Sequence, residues 1–134
     1  MNNMNPVVHF EMPYQDKKRM SDFYSKTFGW KAEMLGPEMG EYVVMTTSEM
    51  DEKTKFPKKP GMINGGFYKR PDDPIGQAPS IVISTGDIKA TLKKITAGGG
   101  KVLGEPMDIP GVGTYAGFLD TEGNRASVLQ PLSM

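Results

Sequence analysis

The alternation of apolar and polar residues along the chain predicts a run of strands and one helix in its first half. Residues 6–13 alternate and are rich in β-branched and aromatic side chains, which is typical of a strand. After Asp16, which can cap a helix, apolar residues recur at helical spacing as far as Gly29, where a glycine can end it. Three further strands separated by turn residues are predicted at 30–35, 41–47 and 61–69. The predicted order is therefore β, α, β, β, β.

The second half of the chain repeats this order. A strand is predicted at 80–85, and Asp87 can cap a helix that the glycines at 98–100 end. The remaining predicted strands and turns are strands at 101–103, 114–119 and 125–129, with turns at 104–113 and 120–124. Placing Asp16 over Asp87, or Tyr42 over Tyr115, aligns the halves at nearly the same offset. This self-similarity indicates a duplicated unit whose two copies share one core, because two copies are too few for a solenoid.

Length and composition restrict the class of protein. A chain of 134 residues fits a single domain, 1–134, with module one at about 5–72 and module two at about 77–133. Sixteen basic and sixteen acidic residues cancel, which argues against a nucleic-acid partner. No apolar run approaches the ~20 residues of a membrane span, and the start of the chain lacks the pattern of a secretory signal. We therefore expect a cytoplasmic protein with no membrane partner.

Several local strings resemble a known family. They are NPVVHFEMP, FYSKTFGW, INGGFYKRP, IPGVG and DTEGN, and together they span essentially the whole chain. The chain resembles the glyoxalase, bleomycin-resistance and extradiol-dioxygenase superfamily, the vicinal oxygen chelate proteins. The resemblance implies an α+β fold in which two tandem βαβββ modules form a curved, cup-shaped mixed sheet with the helices outside. It also implies a pocket for a small-molecule ligand and a homodimer.

The family's metal-ligand set is incomplete in this sequence. Family enzymes typically hold a divalent metal with one side chain on the first strand and one on the last strand of each module. His9 is the one match, whereas Ser80 and Ser127 stand at two of the other positions and the region around Asn64 has no carboxylate. The chain has no cysteine and no second histidine. Since a catalytic ion needs about three protein ligands, we expect no metal and no other cofactor.

His9 and Glu11 are the candidate catalytic residues, because they lie two positions apart and so share one face of the first strand. His9 can serve as an acid or base near neutral pH, or simply form part of the pocket wall. Gly65 and Gly66 suggest either a sheet bulge or close approach of a ligand. Tyr42 and Tyr115 occupy equivalent places and would clamp a ligand if both face inward. The full set of predicted pocket residues is Tyr42, Met45, Gly65, Gly66, Ser80, Tyr115, Phe118 and Ser127.

The sequence is compatible with three functions. The first is a binding protein similar to the drug-binding resistance members of the family, with an incomplete metal site. The second is a metal-dependent lyase or isomerase similar to lactoylglutathione lyase (glyoxalase I), or a dioxygenase, in which Glu11 supplies a second ligand beside His9. The third is a structural module with a filled cavity. The first is preferred because three of the four usual ligands are absent, although fold resemblance alone does not assign function.

Overall fold

The computed structural model describes residues 4–132 and has a mixed α+β fold made of two tandem βαβββ modules. It divides into two compact units: residues 9–79, called the first module, and residues 80–132 together with residues 4–8, called the second module. The strands and α-helices within residues 4–132 are β1 (Val7–Tyr14), α1 (Lys17–Phe28), β2 (Lys31–Met34), β3 (Val43–Thr46), β4 (Asn64–Lys69), β5 (Ser80–Ser84), α2 (Ile88–Ala97), β6 (Lys101–Ile109), β7 (Gly113–Leu119) and β8 (Arg125–Pro131). The predicted order of elements is therefore confirmed.

In the first module the strand order is β2-β3-β4-β1, and β1 runs parallel to β4 while the other pairs are antiparallel. Helix α1 begins as predicted, because the side chain of Asp16 accepts a hydrogen bond from the backbone N–H of Arg19 at 3.0 Å. It ends at Gly29, whose φ of 74° is left-handed and favours glycine. These two caps fix the length of the helix.

Helix α1 covers one face of this sheet. The fully buried side chains of the core are Val43 and Met45, with Phe67 and Tyr14 almost as deeply buried. Partly buried aromatic and methionine side chains from α1 and β1 pack against this cluster. Burying one such side chain stabilises the fold by about 1.5–3 kcal/mol. Because side chains alternate along a strand, the neighbours of these core residues point to the opposite face, which we call the open face of the first module.

The second module repeats the arrangement with the strand order β5-β8-β7-β6. The side chain of Asp87 accepts from the backbone N–H of Ala90 at 3.0 Å, so the predicted cap of α2 is also confirmed. The core beneath α2 contains Ile88, Ala116, Phe118, Ala126 and Val128. Residues 4–8 belong to this module through backbone pairing, since the N–H of Ser84 donates to the carbonyl of Pro6 at 2.9 Å.

The largest departure from the predicted element boundaries is the extent of β6. The predicted turn at 104–113 is mostly strand: β6 continues to Ile109 and pairs with β7, with a register shift between Leu103 and Met107. Gly104 has a φ of 70° and lies in this irregularity, as does Pro106. β6 is the last strand in the order of its module, and proline is tolerated at such edges because no ladder hydrogen bond needs its missing N–H. A glycine and a proline therefore marked a bulge, not the end of the strand.

Candidate functional site

His9 and Glu11 both lie on the open face of the first module. The residues between and beyond them, Phe10 and Met12, pack in the core beneath α1, so the alternation along β1 turns His9 and Glu11 away from the helix. Glu11 is only 7% exposed, which is rare for a carboxylate and requires that its oxygens find hydrogen-bond donors. The predicted shared face of these two residues agrees with this placement.

A hydrogen-bonded chain joins the two side chains through Tyr42. The Tyr42 hydroxyl donates to Glu11 Oε2 at 3.0 Å, and its oxygen lies 3.2 Å from His9 Nε2. A tyrosine has one hydroxyl proton, so while that proton is donated to Glu11 the oxygen is left to accept from His9. The network thus assigns the proton of neutral His9 to Nε2. Nδ1 is then the ring nitrogen able to accept a proton or a hydrogen bond.

Burial keeps His9 neutral at physiological pH. Removing the imidazole from water lowers the pKa of His9 from 6.5 to about 4, because the charged form loses its hydration. An imidazole with this pKa carries no positive charge at pH 7. His9 therefore acts in this site as a neutral hydrogen-bonding group.

Gly66 makes the position of Tyr42 possible. In the register of β1 with β4, Gly66 lies opposite Glu11, and a Cβ on Gly66 would overlap with the ring and hydroxyl of Tyr42. Gly65 does the same for Phe10, whose ring packs over it on the helix side. Neither glycine has positive φ, so what each supplies is space for an aromatic ring, not backbone freedom. The two interpretations offered by the sequence, a bulge or close approach of a ligand, did not include this role.

The backbone just before Tyr42 is held in an uncommon conformation. Glu41 has a φ of 61°, in the left-handed region that residues other than glycine seldom adopt. Its carbonyl accepts a hydrogen bond from the Tyr14 hydroxyl at 2.7 Å, and its carboxylate forms an ion pair with Lys17. These contacts with β1 and α1 offset the cost of the conformation, which is on the order of 1–3 kcal/mol. Tyr42 is thus positioned by the core of its own module.

Asn64 is a polar residue of the open face that the sequence gave little reason to select. It lies opposite His9 in the register of the parallel strands and is 8% exposed. Its Oδ1 accepts from the backbone N–H groups of Thr47 at 2.8 Å and Ser48 at 3.1 Å. Its Nδ2 is buried and has no hydrogen-bond partner within residues 4–132. The signal available in the sequence was an amide side chain at the start of a strand. That strand pairs in parallel with the strand that carries His9.

The predicted pocket residues of the second module divide between its two faces. The Tyr115 hydroxyl lies 2.6 Å from Ser127 Oγ on the face of the sheet opposite α2. Ser80 is buried, and its hydroxyl has no hydrogen-bond partner in the described part of the chain. Tyr115 and Tyr42 occupy equivalent positions, each with its hydroxyl bonded to a polar side chain. Phe118 instead packs in the core beneath α2.

Three residues expected in the pocket wall therefore lie on helix-covered faces. Met45 is fully buried beneath α1, Gly65 faces the ring of Phe10, and Phe118 contributes to the core beneath α2. The physical reason is the same for all three, since each lies one position out of phase with a residue of the opposite face. The structure brings together His9, Glu11, Tyr42 and Gly66, and it adds Asn64.

The residues of this site do not fit a bound divalent metal. Within residues 4–132, no three His, Asp or Glu side chains lie close enough together to hold an ion. The Nε2 atom of His9, one of its two metal-binding nitrogens, is engaged with Tyr42, and Asn64 directs its amide oxygen toward two backbone N–H groups. A divalent ion held by about three protein side chains needs a richer donor set.

A concave feature lies on the other side of the first module. A groove of about 620 Å³ runs between α1 and the sheet and is bordered by Met12, Tyr14, Arg19 and Arg70, among others. Its apolar walls belong to the core beneath α1, so the groove follows from helix-to-sheet packing. The hydrogen-bonded chain of His9, Tyr42 and Glu11 is not in it. We regard the open face as the functional candidate because polar groups converge there.

Comparisons with known proteins agree with this class of fold, two βαβββ modules that carry polar residues on the faces away from their helices. A family model described as Glyoxalase/Bleomycin resistance protein/Dioxygenase superfamily matches residues 7–128. The chain belongs to this superfamily, and the resemblance noted in the sequence is confirmed. Members of the superfamily bind small-molecule ligands, often together with a divalent metal.

Three relatives illustrate the range of the superfamily. The chain is 32% identical to a glyoxylase-like domain-containing protein of Didymella fabae, over 91% of each chain. It is 31% identical to the anthracycline biosynthesis protein DauV of Streptomyces sp. (strain C5), covering 85% of this chain and 42% of DauV. A variant of methylmalonyl-CoA epimerase from Streptomyces coelicolor, solved with 2-nitronate-propionyl-CoA, shares the fold with a TM-score of 0.70 over 98% of this chain and 100% of that chain. Its 16% identity extends the likeness no further than the fold.

The two α-helices and the two short 3-10 helices found within residues 4–132 lack the length and hydropathy of a membrane span.

Proposed function

We propose that this protein binds a neutral, mainly apolar small molecule against the open face of the first module, in the manner of the drug-binding members of its superfamily. The observation that carries the proposal is the chain of His9, Tyr42 and Glu11. Polar groups withdrawn from water are costly unless they are hydrogen-bonded, and here buried Glu11 and half-buried His9 and Tyr42 converge on a face that α1 does not cover. Convergent polar groups that fix the orientation of a ligand are typical of small-molecule sites.

The nature of the ligand follows from the charge at this face. His9 is neutral at pH 7 and Glu11 is an acidic side chain, so neither of them supplies a cation for an anionic ligand. The Tyr42 ring supplies a flat aromatic surface beside them. DauV, the relative that takes part in anthracycline biosynthesis, suggests a planar polycyclic aromatic compound as one class to test. We therefore propose neutral aromatic compounds as the ligand class.

A thermal-shift screen tests this proposal. A neutral aromatic ligand, such as a hydroxyanthraquinone, present at about 100 times its Kd should stabilise the protein by about 2.7 kcal/mol, because it binds only the folded state. For a chain of this length we expect Tm to rise by about 5 °C or more. In Tyr42→Phe, which keeps the ring but removes the hydroxyl, the shift should become smaller. If no compound of a broad aromatic library raises Tm, the binding function is excluded and a structural role is favoured.

The alternative is a metal-dependent lyase, isomerase or dioxygenase. One observation favours it: His9 Nε2 and Glu11 Oε2 both approach the same hydroxyl oxygen, so two ligand atoms already converge near one point. The third ligand that such a site requires is not found among residues 4–132.

Metal analysis separates the two functions. Protein purified without an affinity tag or chelator should contain well under one equivalent of zinc, nickel, manganese or iron by inductively coupled plasma mass spectrometry, since two ligands hold an ion weakly. His9→Ala is the matched control. About one equivalent in the native protein that disappears in His9→Ala would contradict our proposal and favour the metal-dependent alternative.

The single-domain organisation, the homodimer, the cytoplasmic location and the lack of nucleic-acid or membrane partners stay predictions.

A further inference from the structure

The groove between α1 and the sheet of the first module combines apolar walls with positive charge. Its volume of about 620 Å³ is within the roughly 300–1,000 Å³ typical of small-molecule sites. Met12, Met20 and Tyr24 form part of its apolar wall, and the exposed side chains of Arg19 and Arg70 border it. Packing of the helix on the sheet explains why a groove exists there. It does not explain why two arginines border the groove.

Arg19 differs from the two cations that precede it at the start of α1. Lys17 forms an ion pair with Glu41. Lys18 forms one with Asp22 at 2.8 Å. The guanidinium of Arg19 has no hydrogen bond or ion pair in the described part of the chain. A cation in the first turn of a helix is mildly unfavourable, because the helix dipole is positive there, so the stability of α1 does not explain Arg19.

Arg70 is held in place by a neutral group. Its Nη2 atom donates a hydrogen bond to Gln77 Oε1 at 2.9 Å. The Nε2 atom of Gln77 donates to the backbone carbonyls of Pro71 and Asp72, each at 3.0 Å, which fixes the orientation of the amide. Because the anchor is an amide and not a carboxylate, it leaves the positive charge of Arg70 in place. A guanidinium has several N–H donors, and this contact uses one of them.

Charge and apolar surface at the groove together indicate the chemistry of its occupant. Among the described residues that border it, Asp16 is the one acidic side chain, and its Oδ1 already accepts the backbone N–H of Arg19. The two arginines therefore leave an excess of positive charge. Phe23 also borders the groove and is 55% exposed, and its ring lies edge to face with that of Tyr24, with centroids 5.0 Å apart. Covering such apolar area with a ligand is favourable.

We propose that this groove is a second binding site, which takes a small aromatic carboxylate. The aromatic body lies against Phe23 and Tyr24, and the carboxylate accepts charge-assisted hydrogen bonds from Arg19 and Arg70, whose planar guanidinium groups match carboxylate geometry. The groove does not include the hydrogen-bonded chain of the open face. The inference therefore goes beyond the function proposed above and does not depend on it.

Three probes separate the contributions of charge and apolar surface in ¹H–¹⁵N NMR titrations of the full chain. Naphthylacetate has an aromatic body and a carboxylate, naphthylethanol has the same ring with a neutral hydroxyl, and acetate has the carboxylate without the ring. Naphthylacetate should bind about tenfold more tightly than naphthylethanol, which is the effect of charge-assisted hydrogen bonds at a partly exposed site. Its shifts should be largest at residues 15–24 and at Arg70. Acetate should not bind at concentrations that saturate the protein with naphthylacetate.

Two pairs of variants at exposed positions of α1 test the site. Arg19→Gln should weaken binding of naphthylacetate about fivefold and leave that of naphthylethanol unchanged. Lys18→Gln removes the same charge from a neighbour that does not border the groove, so both affinities should stay close to native. Phe23→Ala should weaken binding of both naphthyl probes. Phe28→Ala removes a similarly exposed ring outside the groove and should leave both affinities close to native.

Equal affinity for naphthylacetate and naphthylethanol, or equal losses in Arg19→Gln and Lys18→Gln, would overturn this inference, because Arg19 would then not select the carboxylate. Equal affinity for acetate and naphthylacetate would exclude a contribution of the apolar wall and overturn it as well. If a variant does not fold, the comparison of probes on the native protein decides the question.

Two further outcomes would place the ligand elsewhere. If the shifts caused by naphthylacetate centre on His9 and Glu11, and Tyr42→Phe weakens its binding, the ligand lies on the open face and the inference is wrong. Binding of the protein to phosphatidylglycerol vesicles without binding of naphthylacetate would assign the groove to an anionic membrane surface and also overturn it. Failure of the open face to bind neutral aromatic compounds would contradict the proposed function alone.

Discussion

The free energy of unfolding should fall by about 3 kcal/mol between pH 6.5 and pH 4, and His9 should cause the fall. Burial lowers the pKa of His9 to about 4 in the folded state, whereas the unfolded value is 6.5. Between these values the unfolded chain binds a proton that the folded chain does not, so lowering the pH favours unfolding. At 1.36 kcal/mol per pH unit, a difference of about 2.5 units gives this magnitude. Above about pH 7.5 neither state binds this proton, so the contribution of His9 no longer changes with pH.

Urea unfolding at several pH values, compared with His9→Gln, measures this contribution. Gln is neutral throughout the range and still offers an amide to Tyr42. Backbone and side-chain hydrogen bonds lower the pKa of Asp51 and Asp120, but carboxylates so shifted reduce stability only as the pH falls below their unfolded value of 3.8. The effect of His9 on stability therefore falls between pH 6.5 and pH 4, above the range in which the two aspartates act. A native protein as insensitive to pH as His9→Gln above pH 4 would mean that His9 is not buried in solution.

The second large effect, a loss of ligand affinity, should come from Gly66→Ala. The added methyl group would overlap with the ring of Tyr42, so the ring must leave the open face and both of its hydroxyl contacts should be lost. We expect the affinity for a neutral aromatic ligand to fall at least tenfold, on the order of 1.4 kcal/mol or more. With less of its surface covered, His9 should show a pKa closer to 6.5 when titrated by NMR.

Gly117→Ala is the matched control for this prediction. Gly117 is on β7, where it lies opposite Ser127 of β8. Its position in the second module is comparable to that of the strand residues beside Gly66 in the first. The atoms nearest to a Cβ there belong to the flexible end of the Arg125 side chain, the closest at 3.3 Å. Ligand affinity and the His9 titration should therefore stay close to native in this variant. If the two substitutions lower ligand affinity equally, the lost affinity reflects general strain in a strand and not displacement of Tyr42.

Most of the fold could be predicted from the sequence because the signals that define it are local. Asp16, Asp87 and Gly29 act within one turn of their own positions, and the alternation in β1 needs no partner to be recognised. The extent of β6 could not be predicted in the same way. Gly104 and Pro106 break a strand in most contexts, and only the pairing with β7 carries the strand past them.

The candidate site was predictable only in part. His9 and Glu11 could be grouped because residues two apart on a strand share a face. Which face each strand turns to its helix depends on register, so Met45 and Phe118 could not be assigned to the core from sequence. Asn64 depends on still more distant structure. Its amide has a fixed orientation because the residues after β3 fold back to present two N–H groups to it.

The consecutive glycines of β4 make the sheet as thin as a protein layer can be. The ring of Phe10 lies over Gly65 on one side of the strand, and the ring of Tyr42 lies over Gly66 on the other. Only the peptide backbone separates a ring of the hydrophobic interior from a ring of the open face. If the open face binds a ligand as we propose, selection for stability on one side of β4 and for ligand preference on the other must act on the same few residues. Engineering of the specificity of that face would then have to repack the interior as well.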